Sequence, residues 1–133
     1  MANQKNILNY HFKDPNLLDV ALTHKSFSKK NNERLEFLGD AILNFLIAEL
    51  LFKKFGKSRE GSLTQFRSSL VRREVLNEIG KSLNLGRYIK LGHGEKTTNT
   101  SILGNTLEAL VAAVFLDGGF KACSKFVESL YVL

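Results

Sequence analysis

Hydrophobic positions fall on helical spacing along almost the whole chain, and alternation with a period of two is nearly absent. The pattern predicts an all-α domain. Its first clear boundary is KDPNLL, where Asp14 has the chemistry of an N-cap and Pro15 that of a first helical residue. Leu17, Leu18, Ala21 and Leu22 carry the apolar stripe into ALTHKSF, after which the polar SKKNN reads as a loop. A second helix is expected from about Glu33 to Phe55. Its apolar residues, Leu35, Leu38, Ile42, Phe45, Leu46, Leu50 and Phe52, are too dense for a surface helix, so it should be the central buried one.

Gly56 and the stretch GKSREGS end that helix. Ser62 with Gln65 offers a capping box for a third, running unbroken through SLTQFRSSLVRREVLNEIGKSLNL to a stop at Gly86. The glycine-containing LGHGEKTTNT is a loop, and SILGNTLEALVAAVFL is a fourth helix, again densely apolar. Asp117-Gly118-Gly119 should turn the chain into a final helix, FKACSKFVESLYVL.

The two greasiest helices carry acids. Glu36 and Asp40 stand four residues apart, with Glu33 three before Glu36, so all three project from one side of a helix with neighbouring Cβ atoms roughly 5–6 Å apart. Like charges on a largely buried helix are costly unless something positive offsets them. Arg34 points about 100° away from its neighbours and serves poorly. The fourth helix adds Asn105 and Glu108, three apart on one face. Four oxygen-bearing side chains from two packed helices suit a hard divalent cation, Mg²⁺ or Mn²⁺. Pairing with Arg and Lys at the core margin explains any single carboxylate. Two helices that each present a polar pair inside an apolar run favour the metal site.

Composition narrows the chemistry. A chain of 133 residues with 44% hydrophobic and 24% charged residues is one compact domain spanning 1–133, with a core large enough to need no disulfide. The lone Cys123, without any Cys/His spacing for zinc, points to a reducing cytoplasmic setting. MANQKNILNYHF has no apolar signal core, and FLGDAILNFLIAELLF is interrupted by Asp40, Asn44 and Glu49, so neither a signal peptide nor a membrane span is expected. A formal charge of +6 and a pI near 9.6 favour a polyanionic partner. A metal site in a basic protein suggests metal-assisted hydrolysis of a phosphodiester.

NERLEFLGDAIL closely resembles the signature of ribonuclease III, the family of double-stranded RNA endonucleases. ALTHKSF, EGSLTQFRSSLV and SILGNTLEALVAAVFLD follow the family's order, so the resemblance covers nearly the whole chain. It implies an all-helical endonuclease domain forming a two-fold homodimer, with an active site at each end of a valley that accepts double-stranded RNA. Carried onto this sequence, Glu36, Asp40, Asn105 and Glu108 would be the catalytic metal ligands for Mg²⁺, with Mn²⁺ able to substitute. Glu33 and Glu60 match supporting acidic positions of the valley, and Phe37 matches an aromatic side chain that enters a pocket on the partner subunit. The products would be 5′-phosphate and 3′-hydroxyl ends with short 3′ overhangs.

His24 is not used as a base in the family and is expected in a structural hydrogen bond near a helix end. His93 should be an exposed loop residue. Arg67, Arg72, Arg73, Lys81, Arg87 and Lys90 could touch phosphates, or could form a solvated basic face.

Two departures matter. Asn105 stands where the family pattern has aspartate, which removes a negative charge and presents amide hydrogens where a cation should sit. Impaired hydrolysis is the expected consequence. The usual bacterial members also continue into a double-stranded RNA-binding domain that this sequence does not contain, so RNA binding should be weak and salt-sensitive. The rival reading is a non-catalytic ribonuclease III-like module that binds structured RNA or protein.

Overall fold

The computed structural model describes residues 6–98 and 101–133. The start of MANQKNILNYHF and the last two positions of LGHGEKTTNT lie outside them. Among the described residues the chain forms β1 (Asn6–Ile7), β2 (Tyr10–His11), α1 (Pro15–Ala21), α2 (Glu33–Lys54), α3 (Glu60–Val71), α4 (Arg73–Ser82), a 3-10 turn (Leu85–Arg87) and α5 (Ile102–Ser129). The all-α expectation holds, with one small addition. β1 and β2 pair antiparallel, Ile7 opposite Tyr10, around a two-residue turn in which Leu8 and Asn9 both have positive φ.

The core is the crossing of α2 and α5. In α5, Leu107 and every residue from Ala109 to Val114 are fully buried, and they meet Leu43, Ile47 and Leu51 of α2. By length and composition α5 is also the one described helix apolar enough to cross a membrane, with mean hydropathy 1.3. Just over half of that apolar window, 56%, is buried within the fold.

α1 begins as expected: the Asp14 carboxylate accepts from the Asn16 N–H at 2.9 Å, with Pro15 as first helical residue. The helix is shorter than its apolar stripe, ending at Ala21, and residues 22–31 turn back toward the segment after the 3-10 turn. His24 N–H donates to the Lys90 carbonyl and Lys90 N–H to that of Leu22. Asn32, buried just before α2, ties the turn down by donating its side-chain amide to the Ala21 carbonyl at 3.0 Å.

Three expected boundaries need correcting. The third helix is two helices, because Arg72 is extended (φ −69°, ψ 157°) and swings α4 under α5. Ser62 is not its cap. α3 starts at Glu60, whose carboxylate accepts from the Thr64 hydroxyl at 2.8 Å and whose charge suits a helix N-terminus. α4 stops at Ser82, with Asn84 taking the left-handed conformation (φ 57°), so Gly86 falls inside the 3-10 turn. The turn expected at Asp117-Gly118-Gly119 is present as a kink within α5, where Gly119 (φ 85°) breaks the helical backbone between two helical stretches.

That kink is fastened to the N-terminal segment. The Asp117 carboxylate accepts from the Tyr10 hydroxyl at 2.7 Å and from the Lys13 and Asp14 N–H groups at 2.8 and 2.9 Å.

Candidate active site

The buried seam between α2 and α5 opens at one end into a pocket of about 550 Å³, lined by Glu33, Glu36, Phe37, Asp40, Arg73, Asn105 and Glu108 among others. Two close backbone approaches set its floor. Gly39 packs on the Glu108 carbonyl so tightly that a Cβ would lie 1.7 Å from the oxygen. Gly104, near the start of α5, donates its N–H to the Asn77 side-chain oxygen on α4 at 2.8 Å. Ser101 gives α5 no side-chain cap, and Asn77 satisfies that amide from outside the helix.

Glu108 faces the pocket from an otherwise apolar stretch and is only 9% exposed. Burial, then a hydrogen bond shared with Asp40 and the charges of Asp40 and Glu36, pushes its carboxyl up to about 8. Glu36 is also raised, first by burial and then by Glu33, with Arg73 and Lys25 pulling the other way. Asp40 accepts a weak 3.5 Å contact from the Asn44 amide, whose better partner at 2.9 Å is the Asp40 carbonyl. Asn105 donates its amide to the Ser101 hydroxyl at 3.4 Å.

Burial and mutual repulsion hold Glu36 and Glu108 toward their protonated forms, and the nearby Arg73 and Lys25 offset this only in part. A divalent cation would relieve the same repulsion, and carboxylates with one amide oxygen are the donor set that hard Mg²⁺ or Mn²⁺ prefers. As placed, no three His, Cys, Asp or Glu side chains among the described residues converge closely enough to grip an ion. The donor chemistry fits, and the side chains still have to draw in.

Of the residues expected at the site, Glu33, Glu36, Asp40, Asn105 and Glu108 share this pocket. Glu60 does not. It edges a separate apolar cleft of about 350 Å³ between α2 and α3, lined by Ala48, Leu51, Phe52, Leu63, Thr64 and Arg67. Phe37 stands 83% exposed at the rim of the acidic pocket. His24 lies outside it, its Nδ1 meeting the Ser26 hydroxyl at 2.7 Å and accepting the Ser26 N–H at 3.1 Å, as a structural role requires. His93 is exposed.

Four contributors were missed from sequence: Asn32, Gly39, Asn77 and Tyr131. Tyr131 donates its hydroxyl to the Leu70 carbonyl at 3.0 Å, and its phenol is pushed up to about 12 by burial and by Glu108. Of the four, only Gly39 carries a local signal. A glycine in a helix interior costs about 1 kcal/mol against alanine, so it calls for a packing reason.

Comparison with known proteins agrees with this geometry. A family model described as ribonuclease-III-like matches residues 14–133. Ribonuclease 3 of Nitrosococcus oceani is 50% identical over 128 residues, covering 93% of this chain and 55% of that protein. Ribonuclease 3 of Pseudomonas fluorescens is 47% identical over 133 residues, covering 97% and 58%. The chain thus spans a little over half the length of these curated relatives. The nuclease domain of ribonuclease III from Campylobacter jejuni superposes with a TM-score of 0.88 at 46% identity, covering 92% of this chain and 90% of that one, and its region involved in dimer formation is described as flexible. Dicer from Pichia stipitis matches with a TM-score of 0.74 at 26% identity, covering 96% and 58%. With a family match across nearly all of its length and the acidic pocket at the crossing of α2 and α5, this chain belongs to the ribonuclease-III-like family.

Proposed function

We propose that this domain is a Mg²⁺-dependent endonuclease that hydrolyses double-stranded RNA during RNA processing in the cytoplasm, leaving 5′-phosphate and 3′-hydroxyl ends with short 3′ overhangs. The observation that carries the reading is the convergence of Glu36, Asp40, Asn105 and Glu108 on one pocket at the crossing of two core helices. These four side chains would hold the ion. When bound, Mg²⁺ supplies Lewis acidity at the phosphate and an activated water. Glu108, whose carboxyl burial pushes up to about 8, would have to be ionised to hold the ion. The rigid α2–α5 seam then keeps the ligands oriented without reorganisation.

Each active domain is read as half of a homodimer. Phe37, Phe45 and Phe52 project from α2 into solvent, 83%, 57% and 73% exposed, which is a large apolar stripe for one soluble chain. A second copy would cover it, with the Phe37 ring entering the apolar cleft of its partner beside Phe52 and Leu63. That docking brings Glu60 of one copy toward the valley, where the resemblance places it.

Asn105 favours a second reading, a ribonuclease III-like module that binds structured RNA or protein without cutting. Cleavage of a long labelled RNA duplex in low-salt Mg²⁺, comparing the unaltered chain with Asn105→Asp, separates the two. Cutting by the aspartate form alone supports the mechanism with Asn105 as an impairing substitution. Duplex retention by both without cutting puts the binding module ahead, and equal cutting of a DNA duplex sinks the substrate assignment.

A further inference from the structure

Two cations flank the acidic pocket, and their surroundings differ. Lys25 reaches Glu33, Nζ to carboxylate oxygen 3.9 Å. Arg73 lines the pocket with Glu36, Asp40 and Glu108, yet among the described residues its guanidinium makes neither an ion pair nor a hydrogen bond.

Arg73 is also a poor choice for its helix. It is the first residue of α4, where a positive charge opposes the helix dipole, and that end has no side-chain cap. A residue that breaks a local rule at the edge of a site points to a role in the site. The backbone puts it there: extended Arg72 turns the chain between α3 and α4, and the Tyr131 hydroxyl bonded to the Leu70 carbonyl pins the approach to that turn.

An RNA strand entering this pocket meets like charge from Glu33, Glu36, Asp40 and Glu108. A cation held by the carboxylates offsets it at one phosphate only. A guanidinium with its fork of N–H donors uncommitted can take two oxygens of a neighbouring phosphate, which an ammonium already beside Glu33 does less well.

We propose that Arg73 contacts substrate, its guanidinium binding non-bridging oxygens of a phosphate in the RNA strand that lies over Glu36, Asp40 and Glu108. This rests on reading the pocket as a site for RNA duplex.

The test is equilibrium binding of a labelled RNA duplex by the full chain across a KCl series. Ca²⁺, a hard cation of looser geometry, replaces Mg²⁺ to hold cutting down. Unaltered protein is compared with Arg73→Gln, Arg73→Lys and Arg72→Gln, each checked for an unchanged melting curve. Arg73→Gln should bind about tenfold more weakly at low salt, the scale of one charged hydrogen bond. Its plot of log K against log salt should flatten by about one per occupied site, the mark of a lost phosphate contact. Arg73→Lys should keep the slope. An unchanged slope in Arg73→Gln overturns the proposal, as does an equal flattening in Arg72→Gln, which would mean a general basic edge. Failure of the unaltered chain to retain any duplex would remove the RNA reading itself, and this contact with it.

Discussion

Gly39 of α2 lies directly against the backbone of Glu108 on α5, leaving no room for a Cβ. The two core helices therefore meet at the residue that must present its carboxylate. Gly39→Ala forces them apart and should cost about 1–3 kcal/mol or more, as overpacking does. Gly61→Ala on α3 meets nothing within 4 Å and should stabilise by about 0.4–1 kcal/mol. Urea midpoints of the two variants check this, and a Gly39→Ala protein as stable as the parent would refute the close packing.

Protonation of Glu108 predicts an unusual pH response without metal. Its folded pKa of about 8 lies above the ordinary 4.5, so the folded state holds a proton that the unfolded chain releases. Stability should therefore be fullest below about 4.5 and decline as pH rises toward 8. Asp117 acts oppositely. Burial raises it, but the Lys13 amide, the Tyr10 hydroxyl and the Asp14 amide outweigh that and hold it low, so its contribution fades only as pH falls through its folded pKa. Urea midpoints in EDTA should fall across the range from mildly acidic to pH near 8, and Glu108→Gln should flatten the decline. A rising midpoint contradicts the assignment.

Asn105→Asp adds a fifth acid to a pocket already short of positive charge. In EDTA it should melt below the parent. Saturating Mg²⁺ should raise its melting temperature more than the parent's, since ligand that binds only the folded state stabilises in proportion to ln(1 + [L]/Kd). Equal shifts in both proteins would mean that residue 105 is not a ligand.

Phe37 contributes little inside its own chain. Phe37→Ala should leave the unfolding midpoint of dilute protein within about 0.5 kcal/mol, the usual range for surface changes, while shifting sedimentation equilibrium toward monomer. A mass unchanged across concentration would place the self-association elsewhere.

Much of this was legible before any coordinates. Asp14-Pro15 announced α1, and the acid spacing in NERLEFLGDAIL put Glu33, Glu36 and Asp40 on one side of a helix, because both depend on neighbours in the chain. What escaped depends on partners far away. No glycine or proline marks Arg72, since the break serves the packing of α4 against α5 and not a local preference. Asn84 took the left-handed stop that Gly86 seemed to offer, a conformation asparagine tolerates. Asn32 and Asn77 look like ordinary polar residues until their amide groups are found holding a turn and a helix end.

The four side chains proposed to hold the cation all stand on helices: Glu36 and Asp40 on α2, Asn105 and Glu108 on α5. Such a site has no hinge. On the proposed function, it would not discriminate by folding shut over one molecule and refusing another, and discrimination would pass to whatever the rim presents, to the outline of an incoming duplex and to a second copy of the chain. Natural change in taste, on this plan, would accumulate around the mouth while the hearth stays unaltered.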